Sequence, residues 1–400
     1  VAILIDYMTL LIPNKLPNVG TTIFTTMSKL ALDVGALNLS QGFPNFPVDP
    51  ALLSLVTEAM QHQHNQYAPM PGVLVLREAI AHKTLADYGR SAGAVAYHPD
   101  EEITITSGAT EALFAAVTAV IQAGDEVIVF EPAYDSYVPA IELNGGVPVY
   151  ISLAPPTYTI NWHEVRSKIT DRTRLIMVNT PHNPTGRVWS ADDVAQLAAL
   201  VESYNLFVIS DEVYEHILFD GRVHHSLMTN PILRERTFVC GSFGKTFHIT
   251  GWKIGYCQAP RALTAAFRKI HQFLTFSVST PMQYALAEYL KQPERYCSLP
   301  NFYETKRATF LAAIAGSRFQ FLPTEGTFFQ TVSYADITDE SDVELAIRLT
   351  REIGVASIPL SVFYHNRLDY RMLRFCFAKD DQTLTQAGER LSEWSHNVLV

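Results

Sequence analysis

From about residue 100 onward, short runs of β-branched and apolar residues alternate with longer Ala- and Leu-rich stretches, a rhythm that predicts strand, helix, strand. Ile103 to Thr106 reads as a strand, Ser107-Gly108-Ala109-Thr110-Glu111 opens a helical stretch that Gly124-Asp125 closes, and Glu126 to Phe130 resumes as an apolar strand. Further strands are predicted over Val147 to Leu153, Leu175 to Asn179, Leu206 to Ser210, Thr237 to Gly241 and Ile254 to Gln258. Between two of these, Ser190-x-x-Asp193 has the spacing of a capping box, in which a hydroxyl and an acid three residues on satisfy each other's backbone N–H groups, and it predicts a helix running to Tyr204. This alternation implies an α/β fold with a mainly parallel central sheet sandwiched by helices. After about residue 285 the pattern lengthens into helical stretches over Ser298 to Ile314 and Asp342 to Ile353, mixed with short strands such as Arg371 to Ala378, which predicts a second, smaller α+β domain. The first 45 residues, rich in Pro, Asn and Thr, fall outside the rhythm and are expected to form an arm that packs on the small domain or on a partner subunit. The expected division is an arm over 1–46, a large domain over 47–285 and a small domain over 286–400.

Composition narrows the function classes. Four hundred residues exceed one hydrophobic core, and 48% hydrophobic against 18% charged residues can bury a sizeable one. The net charge of −10 offers no attraction to phosphate backbones or anionic lipid, so neither nucleic acid nor membrane is expected as a partner. Cys240, Cys257, Cys297 and Cys376 are far apart with no C-x-x-C pair, so no disulfide framework and no metal site are expected, and reducing cytoplasm fits best. The apolar stretch Val1 to Ile12 carries Asp6 and no basic flank, so neither a signal peptide nor an anchor is expected. An ordinary-looking start follows Met8, and residues 1–7 are expected to lie upstream of the native one.

Four segments carry candidate chemistry. Gly241-Ser242-Phe243-Gly244-Lys245-Thr246 follows an apolar strand and sets one lysine among glycines and hydroxyls, with Lys253 eight residues on. A lysine in a partly dehydrated pocket near another cation has a lowered pKa and can attack a carbonyl to form a Schiff base; the alternative is a surface loop with two solvated lysines. A phosphate-binding nucleotide loop is excluded, because position 239 is Val where that motif needs Gly. Asp211, in Ser210-Asp211-Glu212-Val213-Tyr214, ends a predicted strand on the edge where open α/β sheets bind ligands, or else caps a turn. Asn179-Thr180-Pro181-His182-Asn183-Pro184-Thr185-Gly186 leaves another strand with two prolines that force an irregular turn, in which at least one of the Thr180-Pro181 and Asn183-Pro184 bonds is expected to be cis. The Ser107 to Thr110 turn opens a helix whose free N–H groups and positive dipole end suit an anion.

A Schiff-base lysine, a strand-end aspartate, a strand-end asparagine and a phosphate-cradling helix start describe a pyridoxal phosphate site. Gln41-Gly42-Phe43-Pro44, Asn65-Gln66-Tyr67-Ala68-Pro69, Asn183-Pro184-Thr185-Gly186, Ser210 to Tyr214, the Lys245 segment and Arg374-Phe375-Cys376-Phe377-Ala378 stand in one order along the chain. With these motifs the chain, from about Lys15 to about Leu391, resembles the fold-type I, class I pyridoxal-phosphate aminotransferases, in detail the bacterial methionine aminotransferases and their kynurenine aminotransferase relatives. The resemblance implies that Lys245 forms the Schiff base with the cofactor and moves the proton between substrate α-carbon and cofactor. Asp211 would pair with the pyridine nitrogen, Asn183 and Tyr214 would hydrogen-bond the phenolic oxygen, and Tyr134 would stack on the ring unless it is a plain core aromatic. The phosphate would rest on Gly108, Ala109 and Thr110, with Ser242 and Lys253 adding a hydroxyl and a cation that also lowers the pKa of Lys245. Tyr67 would reach the phosphate of the other subunit, making the site a property of a homodimer.

For substrate, the resemblance implies that Arg374 pairs with the α-carboxylate, helped by Asn183 and the Gly42 backbone, the alternative being a structural salt bridge. Arg371 is assigned to the surface or a structural pair. Phe24 from the arm, with Tyr67 and Phe276 from the partner subunit, would wall the side-chain pocket, where a thioether or aromatic ring is at home. The segment His271 to Pro281 supplies no arginine for a second carboxylate, which disfavours aspartate and glutamate. Kynurenine-type relatives often carry a histidine where Ser277 stands. The reading is an aminotransferase that passes the amino group of methionine, and of aromatic amino acids, to a 2-oxo acid by a ping-pong cycle. A kynurenine aminotransferase or cysteine-conjugate β-lyase is the alternative; a non-enzymatic ligand sensor is the remote one, since too few residues precede the family match for a DNA-binding module.

Overall fold

The computed structural model describes residues 14–89 and 97–397. The expectation about residues 1–7 lies outside them. The arm contains an element its composition did not suggest, a helix over Ile23–Val34, started by the Thr22 hydroxyl accepting from the Thr25 N–H and stopped by Gly35 at φ 66°. Strand β1 (Leu37–Asn38) follows it.

Seven strands form the main sheet: β2 (Ile103–Thr106), β3 (Glu126–Glu131), β4 (Val147–Ser152), β5 (Thr173–Asn179), β6 (Phe207–Asp211), β7 (Thr237–Ser242) and β8 (Gly255–Gln258). They lie in the order β2-β8-β7-β6-β5-β3-β4. The β4, β3, β5, β6 and β7 neighbours pair parallel, while β8 runs antiparallel to both β7 and β2. Each strand predicted from the sequence is present, its ends shifted by no more than two residues. Both faces are covered, which is why these strands read as nearly continuous apolar runs. Val127, Val129, Leu175, Met177, Ile209 and Phe238 pack under the Gly108–Val120 and Arg261–Leu274 helices, and their neighbours Ile128, Ile176, Val178 and Val208 pack with Val194, Leu197 and Val201 of the Ala191–Tyr204 helix. That last helix starts at the Ser190/Asp193 capping box that the spacing predicts.

The register fixes what the sheet presents at its carboxyl edge. Asn179 ends β5 directly opposite Asp211, which ends β6 opposite Cys240, two residues before Ser242 ends β7. An amide, a carboxylate and a hydroxyl thus share one edge, spaced by adjacent strands.

The C-terminal part carries β9 (Gln320–Phe321), β10 (Phe329–Ser333), β11 (Val355–Ala356), β12 (Ile358–Pro359) and β13 (Met372–Cys376). Four of them form an antiparallel sheet ordered β12-β13-β10-β9, and β11 pairs parallel with β1, so the arm is stitched onto this part of the chain. The Leu299–Ile314 and Asp381–Asn397 helices cross so closely at Gly388 that a Cβ there would sit 2.4 Å from the Ala313 Cβ. The helix expected over Asp342 to Ile353 is α-helical only to Arg348; its last five residues widen into a π turn that Gly354 ends at φ 70°. Among the described residues, no helix is long and apolar enough to cross a membrane.

Candidate active site

A cavity of about 450 Å³ opens at the carboxyl edge of the main sheet, roofed by the arm and by β10 and β13. Phe24, Gly42, Gly108, Ala109, Thr110, Tyr134, Asn183, Asp211, Tyr214, Ser242, Lys245, Lys253 and Arg374 all line it. Tyr67 and Phe276 do not. Their rings meet edge to face at 5.4 Å on the outer surface, with Tyr67 82% exposed.

One end of the cavity is built for an anion. Gly108 starts its helix at φ 75°, and a Cβ there would come within 3.2 Å of Lys253 Nζ, so the lysine lies across the helix N-terminus. A Cβ on Gly255 would meet the Ala109 nitrogen at 2.9 Å; glycine is what lets β8 pass beneath that turn. The Ser242 hydroxyl, which accepts from the Gly244 N–H at 3.1 Å, completes a set that could hold a phosphate.

Asp211 lies deeper. Burial raises its carboxyl to about 6, against the pull of the Tyr137 hydroxyl and the Val213 N–H, which donate to it at 2.7 and 3.4 Å. Asn179 binds this wall together: its amide donates to the Asp211 carbonyl and accepts the Asn183 N–H, both at 2.8 Å. Sequence reasoning passed over Tyr137 and Asn179. The available signals were local: Tyr137 is one helical turn beyond Tyr134, and Asn179 ends its strand as Asp211 does. Tyr137→Phe removes the hydrogen bond that favours the ionised carboxylate, so Asp211 titrates higher and pairs less well with a cationic ring nitrogen. Affinity for pyridoxal phosphate is expected to fall about tenfold or more, the weight of a hydrogen bond to a charged group, as a fluorescence titration of the cofactor-free protein checks.

Lys245 donates from Nζ to the Gly42 carbonyl at 2.8 Å. Burial lowers its pKa to about 8; Cys376 and Asp211 oppose the shift, while Arg374 and Lys253 add to it. An amine in that range is a nucleophile and base near neutral pH.

Arg374 projects from β13, fully buried. It donates to Asn183 Oδ1 at 2.8 Å and to the Ser40 carbonyl at 2.9 Å, and its guanidinium lies 3.9 Å from the Phe329 ring centroid. It bonds no carboxylate among the described residues, its Nε has no partner, and burial pulls its pKa down to about 10. A buried guanidinium in this condition is suited to pair with a carboxylate. Arg371, three residues earlier, pairs instead with Asp339 at 2.7 Å on the surface. Both Thr180-Pro181 and Asn183-Pro184 are cis.

The turn that carries Tyr214 is pinned from behind. Glu212 accepts from the Ser210 hydroxyl and the Leu227 N–H, while Glu215 accepts from Lys83 at 2.8 Å, Tyr88 at 2.6 Å and Tyr256 at 2.8 Å. Asp87, Glu215 and His216 lie close enough together to ligate a metal ion, but Lys83 Nζ already stands 3.1 Å from Asp87 and 2.8 Å from Glu215 and supplies the cation there. None of these supports was singled out in the sequence.

The residues fit pyridoxal phosphate. An anion-binding helix start, an aspartate deep in the wall, a lysine of lowered pKa and the Tyr214 side chain face one cavity, beside an arginine whose Nε has no hydrogen-bond partner among the described residues. Comparison with known proteins agrees. The chain is 50% identical over 387 residues to the methionine aminotransferase of Escherichia coli, covering 96% of this chain and 98% of that one. It is 35% identical to the kynurenine–oxoglutarate transaminase of Dictyostelium discoideum, covering 93% and 94%. The crystal structure of an Escherichia coli protein with methionine aminotransferase function superposes with a TM-score of 0.93 at 49% identity, over 96% of this chain and all (100%) of that one. N-Succinyldiaminopimelate aminotransferase from Mycobacterium tuberculosis superposes at 0.91 with 36% identity, over 96% and 100%. Residues 34–391 match the family of aminotransferases of class I and II, and the chain belongs to that family of pyridoxal-phosphate-dependent enzymes.

Proposed function

We propose that this aminotransferase takes the amino group of methionine, and of aromatic amino acids, and passes it to a 2-oxo acid, acting in the cytoplasm as a homodimer whose arm, large domain and small domain meet near residues 46 and 285. The observation that carries the substrate reading is the make-up of the pocket: Arg374 is its one guanidinium among the described residues, its side-chain walls are Phe24 and Phe329, and Asp135 adds a carboxylate. A distal carboxylate finds no counter-charge there, whereas a thioether or ring gains dispersion and sulfur–aromatic contact. The methionine aminotransferase among its relatives supports the same reading. Tyr67 and Phe276, exposed and outside their own cavity, are assigned to the partner's site.

Bound pyridoxal phosphate supplies a ring that accepts the electrons left when the substrate α-carbon loses its proton. The chain's own residues do the rest. Arg374 and the Gly42 backbone hold the α-carboxylate and orient the α-hydrogen toward Lys245, whose amine carries the proton. Asp211, oriented by Tyr137, keeps a proton on the ring nitrogen. Asn183, with its Oδ1 occupied by Arg374, has its amide N–H groups left for the ring oxygen, which Tyr214 also reaches. Gly108, Ala109, Thr110, Ser242 and Lys253 hold the phosphate, and Tyr134 covers the ring.

Adding L-methionine without any oxo acid is expected to bleach the visible absorbance of the cofactor-loaded protein, and a 2-oxo acid to restore it. Loss of the band without recovery, with pyruvate and ammonia released from a cysteine S-conjugate, would point to the β-lyase reading instead. Kynurenine is the second donor to assay, given the relative from Dictyostelium discoideum.

A further inference from the structure

His271, fully buried near the end of the Arg261–Leu274 helix, has an oxygen acceptor at each ring nitrogen. Nδ1 lies 2.9 Å from Glu111 Oε1 and Nε2 lies 3.0 Å from the Met70 carbonyl. Glu111 reaches on to the start of the Gly108–Val120 helix, where its Oε2 accepts from the Ser107 N–H at 3.0 Å. In the same helix Arg268 is turned away to the Ile103 carbonyl and the Thr104 hydroxyl, Lys269 is exposed, and the Phe267 ring covers the imidazole face.

Both ends of this contact matter to the site. Glu111 braces Ser107, the cap of the turn that carries Gly108, Ala109 and Thr110. Met70 closes the 66–70 loop that bears Tyr67, and the same loop is fastened by Ser277 Oγ to the Ala68 carbonyl at 3.0 Å and by Thr280 Oγ1 to the Gln66 carbonyl at 2.6 Å. The His271 carbonyl in turn accepts from the Thr275 and Phe276 N–H groups, setting the turn that places Phe276. We propose that His271 is a positioning residue that, bonded to Glu111 through Nδ1 and to the Met70 carbonyl through Nε2, ties the phosphate-holding turn of its own site to the Tyr67–Phe276 pair. The inference deepens the cofactor reading above and rests on it.

Three forms of the full-length protein test it: wild type, His271→Gln and Glu111→Gln. The dissociation constant for pyridoxal phosphate is expected to rise about tenfold in both variants, while the thermal midpoint of the cofactor-free protein stays within a few degrees of wild type. Wild-type cofactor affinity in Glu111→Gln overturns the inference even if His271→Gln does not fold. Wild type that binds the cofactor, with variants that bind it equally well, overturns the inference alone; wild type that takes up no cofactor overturns the cofactor reading and the inference with it.

Discussion

Lys245→Ala is expected to lower the turnover of amino transfer from methionine by roughly 10⁴-fold, at the upper end of what a positioned base contributes, while cofactor-free protein of this sequence keeps its thermal midpoint. In the proposed mechanism the lysine serves twice, as the covalent attachment point of the cofactor and as the carrier of the proton at the substrate α-carbon. Its basic neighbours and Tyr214 are poor substitutes. Lys253 lies across the Gly108 turn, Arg374 stays protonated near neutral pH even with its pKa pulled down to about 10, and Tyr214 is pushed well above its ordinary value by burial. Stability is spared because burial disfavours the charged amine. With its pKa lowered from 10.5 to about 8, the penalty on Lys245 is fully present below about pH 8 and gone above about 10.5, so at neutral pH the substitution relieves a cost while losing the bond to Gly42. Turnover within tenfold of wild type would show that another base carries the proton. A lower midpoint in the cofactor-free variant would show that the Gly42 bond, not the chemistry, is what the lysine provides to the fold.

How far the sequence could be read follows from what each residue depends on. Strand runs such as Phe207–Asp211 show up because burial on both faces demands apolar residues in series, and the polar residue that ends each run marks the ligand edge. Asp211 was accessible for that reason, and Asn183 and Lys245 because they lie in the short segments that follow such runs. Tyr137 and Asn179 depend instead on which strand lies beside which: β5 and β6 are in register with Asn179 opposite Asp211, and chain spacing does not encode this. The supports of the Tyr214 turn are less visible still, since Lys83 reaches Glu215 from 132 residues away. The arm helix was missed for a different reason. Its apolar stripe, including Met27 and Ala31, and its Thr22 and Gly35 caps are present in the sequence, but a Pro-, Asn- and Thr-rich neighbourhood outweighed them. Ring contacts between Tyr67 and Phe276 join residues whose only shared signal is exposure, which sequence patterning does not report.

Arg374→Leu separates function from stability in the opposite sense to most core substitutions. Wild-type Arg374 holds a guanidinium among the rings of Phe24, Phe329 and Phe363 with no carboxylate among the described residues and an unpartnered Nε. Its pKa, pulled down to about 10 by burial, means that the charged form is penalised in the fold; that penalty is complete below about pH 10 and fades as the pH rises into the ordinary guanidinium range. An apolar side chain of similar length removes it, at the cost of leaving the Ser40 carbonyl and Asn183 Oδ1 without a donor. Replacing a buried charge by an apolar group is often neutral or stabilising, and the thermal midpoint of the cofactor-free protein is expected to hold or rise. With substrate bound as proposed the balance reverses, because the α-carboxylate then enters the same apolar surroundings without a partner, a loss of about 3–5 kcal/mol that corresponds to roughly 10²- to 10⁴-fold in kcat/KM. Arg374→Lys keeps the charge but not the planar fork, so it is expected to recover only part of that loss. Steady-state kinetics with methionine beside thermal scans of the same preparations decide the matter: an unchanged kcat/KM removes Arg374 from the carboxylate site, and a midpoint lower by more than about 5 °C makes the guanidinium a structural element that substrate merely borrows.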